Sequence, residues 1–171
     1  MNYMDFSRTY HVRILKDDDV PLILALCEKN TQFYAYCPPS VTVESIRYDM
    51  QVLPQRKTNE PQDKYYLGYF DKKGQLAAVM DFIDHYPTEQ SCFIGFFMME
   101  RSMQGAGIGS IVITELCEYL RSLHYKYIRL GCVDGNKQSE AFWKKNQFID
   151  TGLRNHTPDY TVIVMNRTLT E

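Results

Sequence analysis

No two of the five cysteines, Cys27, Cys37, Cys92, Cys117 and Cys132, stand in a CxxC pair, and their number is odd. That argues against a disulfide framework and points to free thiols in a reducing, cytoplasmic setting. The four histidines are scattered, with no HExxH or other metal-ligand spacing, so no metal is expected. No stretch approaches the ~18 consecutive apolar residues of a spanning helix. The charged opening MNYMDFSRTYHVRILKDDD reads as neither signal peptide nor anchor, so no membrane partner is expected. No Lys/Arg run exceeds two residues and the net charge is −2, which gives no sign of a nucleic-acid partner. Internal repeats and low-complexity segments are also missing.

What is present is an ordinary globular balance. The 171 residues are 44% hydrophobic and 23% charged, enough for one domain with a sizeable core. No shift in composition marks a boundary, so residues 1–171 are read as a single α/β domain, with a homodimer left open. Strands are expected over 10–15, 64–70, 75–86, 91–99, 125–133 and 160–169. The nearly all-apolar segment SCFIGFFMM (91–99) reads as a central strand buried on both faces. Asp17-Asp18-Asp19 before Val20-Pro21 marks the start of a helix running to about Asn30. A second helix follows Pro38-Pro39, with Val43, Ile46, Met50 and Leu53 on one face. A third is expected from Ile108, with Ile111, Val112, Leu116, Leu120 and Leu123 inward. A fourth covers 136–148, with Ala141, Phe142 and Lys145 three and four apart. Residues 54–63 read as a polar loop.

The segment MQGAGIGSIV (103–112) places Gly105, Gly107 and Gly109 where the third helix begins. Glycine costs a helix roughly 1 kcal/mol against alanine. One use of such a turn is to bare backbone N–H groups at a helix start so that a phosphate can approach; tight packing is the other. A dinucleotide fingerprint would need glycine at position 110, which is Ser110. A P-loop would need Gly-Lys-Ser/Thr, which does not occur. The pattern Gln104-x-x-Gly107-x-Gly109 remains.

That pattern, between an apolar strand and an amphipathic helix, resembles the acyl-CoA pyrophosphate loop of the GNAT superfamily of N-acetyltransferases. A second match comes one helix and one strand later. The stretch Asn136-Lys-Gln-Ser139-Glu-Ala-Phe142-Trp143-Lys-Lys145-Asn-Gln147-Phe148 resembles the family's Asn-x-x-Ala/Ser-x-x-Phe-Tyr-x-Lys-x-Gly-Phe. The resemblance implies a mixed, mostly antiparallel sheet of six to seven strands flanked by about four helices. It implies that acetyl-CoA is co-substrate. Backbone groups of Phe97, Met98 and Met99 would face its pantetheine. Gln104, Gly105, Ala106, Gly107, Ile108 and Gly109 would hold its pyrophosphate. Asn136, Ser139 and Trp143 would contact it from across the cleft, and Asn136 also fits a helix N-cap.

The match departs where the chemistry is expected. Trp143 stands at the position of the family's frequent tyrosine proton donor, and an indole N–H has no useful acidity. Gly95 and Phe96 stand where many relatives carry a glutamate, and Gln147 replaces a glycine. The catalytic residues are therefore unknown, with Asp81, Asp84 and His85, on the strand beside the central one, as candidates for a base. A polar strand end is the commoner explanation of Asp84 and His85. Glu100 is expected to face solvent, since an inward anion would repel pyrophosphate. An acceptor pocket is expected from segments 30–40 and 154–160, the first carrying Phe33, Tyr34 and Tyr36. The expected function is acetyl transfer from acetyl-CoA to a primary amine of a small molecule or protein. The alternative is a CoA-binding sensor domain without acid or base. A third reading is a nucleotide-binding fold of another kind.

Overall fold

The computed structural model describes residues 1–54 and 63–169. The polar loop expected over 54–63 lies almost wholly outside the described residues. The chain runs β1 (His11–Ile14), α1 (Val20–Glu28), α2 (Thr31–Tyr36), α3 (Val43–Asp49), β2 (Lys64–Phe70), β3 (Leu76–Ile83), β4 (Ser91–Met99), α4 (Ile108–Ser122), β5 (Tyr127–Val133), α5 (Lys137–Lys145), β6 (Ile149–His156) and β7 (Thr161–Thr168).

Short polar signals start the helices. Asp17–Asp19 form a 3₁₀ turn that leads into α1, and Pro21 sits in the first turn of α1, where its missing N–H costs nothing. Thr42 caps α3 by accepting from the Ser45 N–H at 3.0 Å, while the Ser45 hydroxyl accepts from the Thr42 N–H at 2.9 Å. The acidic cluster is tied to its surroundings by Arg13, whose two terminal nitrogens reach the Asp19 carboxylate at 2.8 and 2.7 Å.

The seven strands form one sheet in the order β1-β2-β3-β4-β5-β7-β6. Every neighbouring pair is antiparallel except β4 and β5, which are parallel and joined by the α4 crossover. Side-chain alternation divides the core between two faces. On one, Val112, Ile113, Leu116, Cys117 and Leu120 of α4 pack over Met80, Phe82, Ile94 and Ile128. On the other, Ile23, Leu26 and Cys27 of α1 and Ile46 of α3 pack over Tyr66, Phe70, Val79 and Met98.

The sheet is the expected one, with seven strands. Among the described residues there are five α-helices, against the about four expected. The extra helix is α2, which forms in a segment read as a loop because its aromatic cluster leads straight into Cys37-Pro38. Strand β6 has no inward face: all eight of its residues are exposed, so it leaves no alternation to read. On α4 the inward stripe includes Ile113 and Cys117, whereas Ile111 and Leu123 are exposed. On α5 the buried residue is Trp143, and Ala141 is exposed.

Strand β4 is irregular in two places, and both lie beside one cavity. Its pairing with β3 joins Ile94 to Phe82 and Phe96 to Asp81, so Gly95 is an extra residue in a bulge. Its pairing with β5 covers only Ser91–Ile94 against Tyr127–Leu130. Beyond that point the two strands part. Gly95, Phe96 and Phe97 are consequently more open than the doubly buried strand expected from the sequence.

Candidate active site

The parting of β4 and β5 opens a cavity of about 540 Å³. Its walls are the second half of β4, the end of β5, the start of α4, α5, and residues of α2 and β7.

At the α4 end, the three glycines differ in their reasons for being there. Gly105 and Gly107 both have φ of +81°, which L side chains rarely adopt, and a Cβ built on either meets nothing within 4 Å. They line the cavity and leave its wall bare. Gly109 has an ordinary backbone but no room: its Cβ would lie 3.0 Å from the Phe142 ring. Gly107 is the N-cap of α4, so the positive end of a 15-residue helix dipole points into this region. Ala106 is exposed, and Ile108 packs against the core; neither lines the cavity.

Gln104 is fully engaged. Its Nε2 donates to Oδ1 of Asn30 at 2.6 Å and to the Met99 carbonyl at 3.2 Å, and its Oε1 accepts from Arg101 at 2.8 Å. Asn30 is buried; its Nδ2 donates to the carbonyls of Leu26 at 2.9 Å and Met99 at 3.1 Å. The Met99 carbonyl is thus held by two side chains, while Phe97 and Met98 pair with β3 and have no partner on β5. Nothing in the sequence singles out Asn30, since an asparagine after a helix reads only as a terminus.

Glu100 is buried, contrary to the expectation that it faces solvent. Its charge is met by Lys29, whose Nζ lies 3.0 Å from Oε2, and it does not line the cavity. Three cations, Lys29, Arg101 and Lys145, do line it, and no Asp or Glu does among the described residues. Lys29 is offset by Glu100, so the positive charge of the wall comes from Arg101 and Lys145.

Across the cleft Asn136 caps α5, its Oδ1 accepting from the Ser139 N–H at 3.1 Å, while both residues also line the cavity. Trp143 is buried in an aromatic cluster, edge-on to Phe142 and Phe148 with centroids 4.9 and 5.1 Å away. Phe97 stacks on Phe142 at 5.9 Å.

At the other end stand Phe33, Cys37, Phe96 and Tyr160. Of the three aromatics expected there, only Phe33 lines the cavity. Tyr34 packs edge-on against Phe33 at 5.1 Å, and Tyr36 is exposed. Tyr160 is the one tyrosine among the described lining residues. A hydrogen bond with Cys37, together with burial, pushes its phenol up to about 12.

None of the candidates for a base lines the cavity. Asp84 is buried beyond the end of β3, where β4 begins, and accepts from the Tyr125 hydroxyl at 2.5 Å. His85 stands beside it, with Nδ1 2.7 Å from the Glu89 carbonyl. Both belong to the end of the sheet where β4 and β5 are still paired. Asp81 is buried under Gly95 and is ion-paired to Lys64 at 2.7 Å. Among the described residues no group of three or more His, Cys, Asp or Glu could hold a metal, and all five cysteines are free thiols.

The parted strands β4 and β5 thus face a glycine-lined helix mouth. The model of the acetyltransferase (GNAT) family matches residues 26–148, spanning β4, the glycine loop and α5. The chain belongs to the GNAT acetyltransferase family. Members use acetyl-CoA as acetyl donor. A search of the curated proteins finds no significant match. Solved structures share the GNAT fold at low identity. An acetyltransferase from Thermus thermophilus superposes with a TM-score of 0.72 at 16% identity, covering 94% of this chain and 97% of that one. The spermidine N-acetyltransferase of Vibrio cholerae, solved with CoA and spermine, gives 0.69 at 16%, covering 94% and 96%. The ribosomal-protein-S18-alanine N-acetyltransferase of Escherichia coli gives 0.65 at 11%, covering 94% of each.

Proposed function

We propose that this GNAT chain is an acetyl-CoA-dependent N-acyltransferase that moves an acetyl group to a primary amine of a small molecule or protein. The observation that carries the reading is the parting of β4 and β5 beside the glycine-lined mouth of α4, in a cavity lined by three cations and no described carboxylate. The residues present fit acetyl-CoA. Bare backbone at Gly105 and Gly107 and the α4 N-terminus suit a pyrophosphate. The main chain of Phe97 and Met98, paired with β3 but without a partner on β5, suits an amide-bearing arm, as does Asn136 with Ser139 on the opposite wall. When bound, acetyl-CoA supplies an acyl group already activated as a thioester.

Much of the rate then comes from positioning. Gln104 and Asn30 fix the loop against β4. Trp143 shapes the wall and has no proton to give. Tyr160 holds one at its Oη, at the cavity surface, and we assign it the role of donor to the leaving sulfur. Phe33, Phe96 and Tyr160 wall the acceptor end without a carboxylate, which favours an amine with an apolar or aromatic body over a polycation. The five free thiols suit a reducing cytoplasm. No helix among the described residues is long and apolar enough to cross a membrane.

The test has two stages. Acetyl-CoA should raise the melting temperature, which ATP and NAD should not. A thiol-release assay over a broad panel of primary amines should then yield free CoA. Stabilisation without release from any amine would leave a CoA sensor in place of an enzyme.

A further inference from the structure

The space where a side chain of Gly95 would project is already taken. A Cβ built there collides with Oδ2 of Asp81, on the neighbouring strand β3. The bulge makes this arrangement: it pairs Asp81 with Phe96 and leaves Gly95 as the extra residue, with no side chain to cover the carboxylate. Gly95 is exposed and lines the cavity, so a single glycine backbone separates Asp81 from it. The other carboxylate oxygen, Oδ1, is fixed by Lys64 Nζ at 2.7 Å. Oδ2 is therefore the oxygen turned toward Gly95.

We propose that Asp81 is the base that takes the proton of the incoming amine, acting past Gly95 across one water. The inference rests on the acyl-transfer reading above. A base need only come within hydrogen-bond reach of its proton, or one water away. Other charged and titratable groups around Asp81 are consistent with this. Lys64 and Tyr66 face it from β2 and Asp49 from the end of α3, while Gly95 and Phe96 on β4 carry no charge. Burial pushes the Asp81 carboxyl up to about 6, although Lys64 pulls it down. It is thus ionised at neutral pH yet more basic than a surface aspartate.

The proton balance closes. The amine arrives as R–NH₃⁺ and gives one proton to Asp81 Oδ2. The freed lone pair forms the C–N bond to the acyl carbon. The C–S bond breaks with its electron pair on sulfur, which takes the proton of Tyr160 Oη, and the second proton shed by nitrogen restores the phenol. The products are the amide, the thiol, and one proton on Asp81 that passes to solvent.

The experiment compares wild type, D81N and K64M with an amine found by the panel, reading kcat/KM against pH and acetyl-CoA affinity separately. Wild type should lose kcat/KM below about pH 6. D81N should lose at least a hundredfold in kcat and the acid limb with it, with acetyl-CoA affinity within threefold of wild type. A folded D81N that keeps both turnover and limb overturns the proposal. If D81N does not fold, K64M decides. Without the lysine charge the carboxyl rises, so the limb should move to higher pH; an unmoved limb overturns the proposal. If wild type releases CoA with no amine, the acyl-transfer reading fails on its own. Asp81 is then read by ¹³C NMR of its carboxyl in the protein–CoA complex titrated with 2-phenylethylamine. A shift of that resonance upholds proton exchange with a bound amine, and a static resonance overturns it.

Discussion

Gln104 Nε2 donates a 2.6 Å hydrogen bond to Oδ1 of Asn30, and both side chains also donate to the carbonyl of Met99. The glutamine of the loop motif therefore braces the loop against the end of β4 and the turn between α1 and α2. Its side chain has little left to offer a ligand directly.

Replacing Asn30 by alanine leaves buried partners unsatisfied, at a cost of about 1–3 kcal/mol. We expect N30A to lower stability by that amount in denaturant titrations. Acetyl-CoA should bind several-fold more weakly by calorimetry, because the loop loses its anchor. Unchanged affinity in folded N30A would separate the brace from the binding site.

The glycines should respond differently. Gly107→Asp brings a negative charge to the helix mouth and forces an L residue into φ +81°. Acetyl-CoA affinity should fall by well over tenfold. Gly109→Ala faces the Phe142 ring instead. It should cost the fold about 1 kcal/mol, on the scale of a tight core contact, and affect ligand binding less. Equal losses of affinity in the two variants would contradict the division of roles.

Removing the phenol at Tyr160 removes the one tyrosine hydroxyl at the described cavity wall. Y160F should lower kcat at least tenfold while KM for acetyl-CoA stays within threefold, as steady-state kinetics can show. Trp143→Phe should keep most turnover and instead lower stability, since its ring is buried among Phe97, Phe142 and Phe148. The reverse pattern would exchange the two assignments.

Glu115 gives a pH signature remote from the cavity. Burial pushes its carboxyl up, but hydrogen bonds from the Ser7 and Thr9 hydroxyls and from the Thr9 and Arg8 N–H groups outweigh it, and the net shift is downward. A carboxyl lowered on folding stabilises the protein above its unfolded pKa and loses that contribution as pH falls through the folded one. Melting temperatures of wild type should therefore drop more steeply than those of E115Q below about pH 4.5, the ordinary glutamate value. Parallel curves would show that Glu115 does not hold the N-terminal segment through its charge.

The legible parts of the sequence were those with a period or a motif. Strands 64–70 and 91–99 stand as read because aromatic and apolar runs are bounded by turn residues. The Gln-x-x-Gly-x-Gly register located the helix mouth. What stayed hidden depends on register between distant strands. No local pattern shows that Asp81 lies under Gly95, because a one-residue bulge decides it. Asn30 joins Leu26, Met99 and Gln104 only once α1 is docked on the sheet. Strand β6 and the short α2 lack an inward stripe long enough to read.

The divergence of β4 from β5 has an evolutionary corollary. On the acyl-transfer reading proposed above, recognition of the acyl carrier there would fall to peptide groups, which every amino acid possesses. Residues such as Phe97 and Met98 can be exchanged without erasing that capacity, so natural variation is at liberty to remodel the opposite chamber for new amines.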